Sequence, residues 1–278
     1  VLCKARSEEN MEKLLLTNDD GIDSLGLQYI LEELSSRGFE VYVVAPAKQV
    51  SGASKSNSFT VRVERRQLEG AKDAWAVDGR PADAVTLGIK VLLPSRPALV
   101  VSGINIGPNM GITDFFTSGT IGAAIEASLL GVKAVASSYS VLRGLKGEGD
   151  MRGLRTAAII TAEVVSRLVD TLYELVDVDI INLNFPRGDP KGLVIAPIAN
   201  ISNKEVYNGE EDGVYHVLGW RTDDLEVAYS GGEEGSDVDV VKKGYASLTP
   251  ICIRCLTAAT YPVSSLAKLR GVLSGLLS

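Results

Sequence analysis

The chain has 278 residues, 45% of them apolar, and a formal net charge of −7. That length suits one large α/β domain with an appendage, and the acidic balance argues against a binder of nucleic-acid duplexes. No apolar run approaches the roughly 20 residues that span a bilayer, and no signal-peptide pattern is visible, so a cytoplasmic protein that does not enter the membrane is expected.

Residues 1–10 lack a pattern and read as an extension outside the fold. Lys13–Thr17 is an apolar strand that stops at Asn18, Asp19, Asp20 and Gly21. Leu25–Arg37 follows with Leu27, Ile30, Leu31 and Leu34 on one helical face, and Gly38 ends it. Glu40–Pro46 is a continuous apolar run of the kind buried on both faces of a parallel sheet. This β-α-β opening predicts a right-handed crossover and a Rossmann-like core with a mainly parallel sheet.

A hydroxyl-rich loop, 51–58, leads to a strand or hairpin region (Phe59–Val77) and then to a helix begun by Pro81. Ala98–Ser102 is a buried strand emptying into the glycine-spaced loop 103–111. Ile121, Ile125 and Leu129 share a face of the next helix. Lys133–Ser137 is a strand, Arg152–Glu174 a long helix, and Asp179–Asn184 a strand. Beyond about residue 190 the texture changes: short alternating runs (206–207, 214–220, 227–229, 245–248) broken by Gly and acidic residues predict hairpins, then an amphipathic helix over Pro262–Leu277. The chain therefore divides into an extension (1–10), a catalytic core (11–190) and a C-terminal segment of hairpins and helix (191–278). Unpaired hairpin edges and the apolar stripe of the last helix predict a homodimer or a dimer of dimers.

Three strand ends carry chemistry. Asp19 and Asp20 are adjacent carboxylates, which repel unless a cation sits with them, and hard cations such as Mg²⁺ prefer oxygen donors. Asn-Asp-Asp-Gly is also good turn chemistry, and both readings stand on these residues alone. Ser51 follows the second strand, and Asn105 and Asn109 follow the strand ending at Ser102. Ends of parallel strands share an edge where open α/β sheets bind ligands, so these loops are expected to converge. Ser118, Gly119 and Thr120 open a helix, which makes either an anion site or an ordinary N-cap.

The single histidine, His216, lies in a probable strand and reads as structural. Without a G-x-S-x-G elbow it supports no serine-hydrolase triad. Cys252 and Cys255 form a C-x-x-C inside a stretch that reads as strand, with no second pair to complete a zinc site, so an incidental or structural role is expected.

Five ordered motifs make a resemblance specific: Thr17-Asn18-Asp19-Asp20-Gly21-Ile22; Val44-Ala45-Pro46 ahead of Ser51-Gly52-Ala53-Ser54; Gly79-x-Pro81-Ala82-Asp83; Ser102-Gly103-Ile104-Asn105-x-Gly107-x-Asn109; and Ser118-Gly119-Thr120-x-Gly122-Ala123-Ala124. Together with Gly244–Pro250 they closely resemble the SurE family of survival-protein nucleotidases and acid phosphatases. The resemblance implies a Rossmann-like core, metal-dependent hydrolysis of nucleoside 5′- or 3′-monophosphates, and a dimer that exchanges part of its C-terminal region. Carried over by motif, the metal ligands are Asp19, Asp20, Ser51 and Asn105, for Mg²⁺ or Mn²⁺. Asp19 and Asp20 are the catalytic pair, and Asn18, Asn109, Ser118, Gly119 and Thr120 are the expected contacts to phosphate or substrate. Lys55 and Arg80 depart from the family pattern and are expected to alter substrate preference or local electrostatics. A haloacid-dehalogenase-like phosphatase needs D-x-D-G, and here the nucleophile position is Asn18, which favours water activated by a metal. The other alternative is a non-catalytic nucleotide-binding or sensing module on the same sheet.

Overall fold

The structure, a computed structural model, describes residues 11–201, 207–209, 213–217 and 224–255. Its centre is a nine-stranded sheet. The strands in chain order are β1 (Lys13–Thr17), β2 (Glu40–Pro46), β3 (Val63–Arg66), β4 (Asp73–Val77), β5 (Leu99–Ile106), β6 (Ala134–Tyr139), β7 (Ile180–Phe185), β8 (Leu193–Ile195) and β11 (Ala246–Ile251). They lie in the order β3-β4-β2-β1-β5-β6-β7-β11-β8. The run from β4 through β7 is parallel, and β3 and β11 pair antiparallel with β4 and β7. A separate antiparallel pair joins β9 (Tyr207–Gly209) and β10 (Tyr215–Val217), and His216 lies in the latter.

Alternation along β1 explains the layering. Leu14 and Leu16 pack into one core with Leu27, Ile30 and Leu34 of α1 (Leu25–Ser36) and Leu154, Ala158 and Val165 of α5 (Glu148–Leu168). Leu15 packs into the other core with Val85 of α2 (Pro81–Leu87) and Ile121 and Ala124 of α4 (Gly119–Leu129). Successive strand side chains point to opposite faces, so a strand covered on both faces must be apolar throughout. Leu14, Leu15 and Leu16 are all fully buried.

Four expectations are corrected. The long helix spans Glu148–Leu168 and is followed by a short 3₁₀ turn, Leu172–Glu174. Of the glycine-spaced loop 103–111, residues 103–106 extend strand β5 and Gly111 opens a short helix, α3 (Gly111–Thr117). The stretch 227–241 holds helices α6 (Leu225–Ala228) and α7 (Asp237–Lys242) rather than hairpins. Both have side-chain N-caps, Asp224 accepting from Glu226 N and Ser236 from Asp239 N, and these local bonds outweigh the short apolar alternation. The strand near the cysteines ends at Ile251, because the Asp179 carboxylate accepts N–H bonds from Ile253 and Arg254 and turns the chain. Cys252 and Cys255 are disulfide-bonded there. The sheet itself continues past residue 190 through β8 and β11. The expected helix over Pro262–Leu277 and the extension 1–10 lie outside the described residues.

Candidate functional site

Chain order places the site. The strand after β1 lies on one side of it (β2), and β5 lies on the other. The crevice outside the carboxyl ends of β1 and β5 is thus a topological switch point, where such sheets bind ligands. A cleft of about 810 Å³ opens there, walled by Asp19, Asp20, Gln49, Ser51, Asn105, Asn109, Asp114, Thr117 and Ser118, with Leu25, Ile106, Pro108, Leu142 and Arg143 also in its lining. A cleft of similar size along β3 and β4 is walled largely by long charged side chains, of which Arg65 pairs with Asp73 at 2.7 Å, Arg66 with Asp23 and Lys72 with Glu40, and it carries no comparable set of oxygen donors.

Asp19 is buried. Thr120 Oγ1 donates to its Oδ1, and the backbone amides of Gly119 and Thr120 also bond it. Burial pushes its carboxyl above the ordinary range, and those bonds oppose the rise. The amides at the start of α4 thus meet the chain's own carboxylate, and the positive end of the helix offsets its charge. A Cβ at position 119 would lie 2.8 Å from both Cβ and Oδ2 of Asp19, so only glycine permits this approach.

Asp20 is pushed up to about 7, by burial first and then by the charge of Asp19. Ile106 N donates to its Oδ2 at 2.9 Å and Gln49 Nε2 to its Oδ1 at 3.2 Å. Gln49 Nε2 also reaches Ser51 Oγ at 3.0 Å, tying the serine-rich loop to the acidic pair. That loop is further docked by Ser54, whose N donates to Thr117 O at 3.0 Å and whose Oγ donates to Phe116 O at 2.6 Å.

Asn105 sits at the end of β5 beyond an irregularity. Between Ser102 and Asn105 three residue steps on β5 cover two on β6, and an extra residue of this kind re-aims side chains. Its Nδ2 is used on Gly107 O at 2.8 Å, which leaves the acceptor oxygen Oδ1 for a ligand. Two carboxylates, a hydroxyl and an amide oxygen form a hard, oxygen-only donor set that fits Mg²⁺ or Mn²⁺. Among the described residues no group of three His, Cys, Asp or Glu side chains gathers, so a cation held here would need neutral oxygen donors beside the two carboxylates.

The structure brings Asp19, Asp20, Ser51, Asn105, Asn109 and Ser118 to one cleft. It does not bring Asn18 there. Asn18 Nδ2 donates to Gly21 O and Ser24 Oγ and its Oδ1 accepts from Gly21 N, so it closes the turn that carries the aspartates. Gly21, with φ +100°, permits that turn. Gly119 and Thr120 stand behind Asp19 rather than on the cleft wall, and Ser118 Oγ caps α4 by accepting from Ile121 N. Lys55 turns away to pair with Glu126 on α4 at 2.7 Å, and Arg80 sits at the N-cap of α2. Sequence reasoning missed Gln49, Asp114 and Arg143. Asp114 is buried beneath the cleft and accepts from Tyr229 OH, a tie across more than a hundred residues that no local pattern announces.

Fold and site together define a doubly wound α/β protein with an acidic, oxygen-lined cleft at its switch point. The family model described as "Survival protein SurE" matches residues 14–207, and the chain belongs to the SurE family. It is similar to the 5′-nucleotidase SurE of Methanoregula boonei, 37% identical over 260 residues, covering 89% of this chain and 94% of the relative. The 5′-nucleotidase SurE of Pelotomaculum thermopropionicum is 35% identical over 247 residues, covering 86% and 88%. The crystal structure of the SurE protein from Aquifex aeolicus superposes with a TM-score of 0.70 at 29% identity, covering 94% of this chain and 99% of that one.

Proposed function

We propose that the chain is a divalent-metal-dependent phosphomonoesterase that hydrolyses nucleoside 5′- or 3′-monophosphates. The observation that carries this reading is the meeting of Asp19, Asp20, Ser51 and Asn105 in one cleft with Asn109 and Ser118. The names of the relatives, 5′-nucleotidase SurE, support it.

Asp19, Asp20, Ser51 and Asn105 would hold Mg²⁺ or Mn²⁺. When bound, such an ion supplies Lewis acidity, which polarises a phosphoryl oxygen and makes water nucleophilic near neutral pH. The chain's own residues do the positioning. Thr120 and the first amides of α4 fix Asp19, and Gln49 and Ile106 N fix Asp20. Asn109 Nδ2 and Ser118 Oγ keep hydrogens for phosphate oxygens. Leu25, Leu142 and Pro108 give the cleft lining apolar surface for the nucleoside, and the exposed Arg143 guanidinium suits a planar base. We place the reaction in the cytoplasm and the protein in a homodimer or dimer of dimers, the latter supported by the exposed apolar edge of β8. Among the described residues no helix is long and apolar enough to cross a membrane.

The test is a panel of nucleoside 5′- and 3′-monophosphates beside a simple aryl phosphate, with Mn²⁺ present. Turnover of the nucleotides at higher kcat/KM than the aryl ester is expected. Binding of nucleotide without release of phosphate would replace this reading with a non-catalytic nucleotide module.

A further inference from the structure

Strand β7 is buried along its whole length, yet it is not apolar. Ile181, Leu183 and Phe185 face the core under α1 and α5, as a doubly covered strand requires. On the other face Ile180 joins the α2–α4 core, but the next two inward positions are Asn182 and Asn184, both fully buried. Burying an amide costs free energy unless its donors and acceptors are met, so two in a row need a reason.

Their bonds converge on one residue. Asn109 N donates to Asn184 Oδ1 at 2.8 Å, Asn184 Nδ2 donates to Asn109 O at 3.2 Å, and Asn182 Nδ2 donates to the same oxygen at 3.0 Å. The side chain of Asn109 is held as well, its Nδ2 donating to Ser138 Oγ at 2.8 Å. Ser138 is the register partner of Asn184 on β6, so the grip comes from two adjacent strands. On the far side Ser247 and Thr249 of β11 stand opposite Asn184 and Asn182, which extends the polar row across a third strand. Asn109 itself lies in a loop with no regular structure, on the wall of the cleft.

We infer that Asn182 and Asn184 are positioning residues: from the sheet floor they fix the backbone of Asn109 at both N–H and C=O, and so fix the attitude of its side chain toward a phosphate group in the cleft. This rests on the reading of Asn109 as a phosphate contact. A single hydrogen bond would leave that residue free to rotate. A donor and an acceptor from one amide, joined by a second donor, do not. An amide suits this grip because its donor and acceptor sit on separate atoms; a serine hydroxyl would serve both bonds from one oxygen on a shorter side chain, and an ionised carboxylate would lack the donor and bury a charge. None of these bonds touches Asp19, Asp20, Ser51 or Asn105, so phosphate binding and metal binding should separate.

The experiment uses the full chain with Mn²⁺, comparing the parent with Asn109→Ala, Asn182→Ala and Asn184→Ala. Inorganic phosphate binding is read by calorimetry and as competitive inhibition, the Mn²⁺ concentration for half-maximal turnover is read separately, and circular dichroism identifies folded variants. Asn182→Ala and Asn184→Ala should weaken phosphate and raise KM by about 10-fold or more, in step with Asn109→Ala, the scale of one hydrogen bond to a charged group. The Mn²⁺ requirement should shift by less than about 2-fold, a split that general loosening of the fold would not give. Asn184→Ser, which keeps an acceptor for Asn109 N, should fall between parent and alanine and serves if an alanine variant does not fold. Folded Asn182 and Asn184 variants, the serine included, that bind phosphate as the parent does, while Asn109→Ala binds weakly, overturn the inference. Normal phosphate binding by Asn109→Ala removes its premise, and a parent that neither binds nor releases phosphate removes the proposed function instead.

Discussion

Gly119 is the single residue whose replacement separates the site from the fold most cleanly. Its missing Cβ lets the first turn of α4 close on Asp19. In Gly119→Ala the new methyl must push the carboxylate or the helix aside by several tenths of an ångström. Displacements of this order in a catalytic constellation cost about 10²-fold in rate, whereas overpacking costs about 1–3 kcal/mol of stability. The expected outcome is a folded protein with kcat/KM lowered about 10²-fold, checked by steady-state kinetics beside a thermal melt. Activity within about 3-fold of the parent would show that the contact is dispensable. At this scale the sequence was informative where chemistry is local. Asp19, Asp20 and Gly21 announce a strand-end turn, and the N-cap, one of the two readings of Ser118, is present and is made three residues away, at Ile121. It was uninformative where partners are distant. Asn18 carries the same polar group as Asn105, and only the fold decides that one closes a turn while the other keeps an oxygen free toward the cleft.

Among the elements, α5 and the end of β7 are coupled by charge. Arg187, just past β7, donates Nε and Nη2 to the two carboxylate oxygens of Asp150 at 2.7 and 3.0 Å. Asp150 lies in the first turn of α5, where a negative charge also suits the helix dipole. The Arg187 bonds hold its carboxyl below the ordinary value of 3.8, with the Lys146 amide adding to them and burial opposing. A depressed carboxylate means that the unfolded chain takes up its proton first as pH falls. The stabilisation is therefore fully present above about 3.8 and is lost as pH drops through the lower folded-state value. Asp150→Asn should accordingly be less stable than the parent at pH 7, and the difference should narrow below about pH 3.8. Urea unfolding at several pH values measures this, and a gap independent of pH would contradict it. Elements were legible in proportion to their hydrophobic period. β1, β2 and α1 announce themselves through unbroken or 3.6-residue patterns. α6 and α7 do not, since each is shorter than two turns and is stabilised by its cap and by contacts with α3, such as Gly111 N to Asp237 Oδ2 at 3.1 Å.

The whole molecule is built so that residues distant in sequence hold the cleft. Ile112 N bonds Ala199 O at 3.0 Å, and Tyr229 and Asp237 bond Asp114 and Gly111, so the segment after residue 190 props the floor of the site. No short window of sequence carries that relation, which is why the role of this segment in the site was not legible there. The outer strand β8 leaves Leu193, Val194 and Ile195 at 42%, 36% and 75% exposure, an apolar edge of the kind proteins usually cover. Light scattering at micromolar concentration should give the mass of a dimer or tetramer, and charged substitution at Ile195 should lower it; a fully active monomer of the parent would contradict the proposed assembly. The central claim, that Asp19, Asp20, Ser51 and Asn105 work by holding a divalent ion at the switch point, is tested most directly by phosphate release from a nucleoside monophosphate after exhaustive chelation. Turnover should fall by at least about 10²-fold, the scale of losing strong electrostatic stabilisation of a transition state, and should return on adding Mg²⁺ or Mn²⁺; undiminished turnover by the metal-stripped protein would contradict the account.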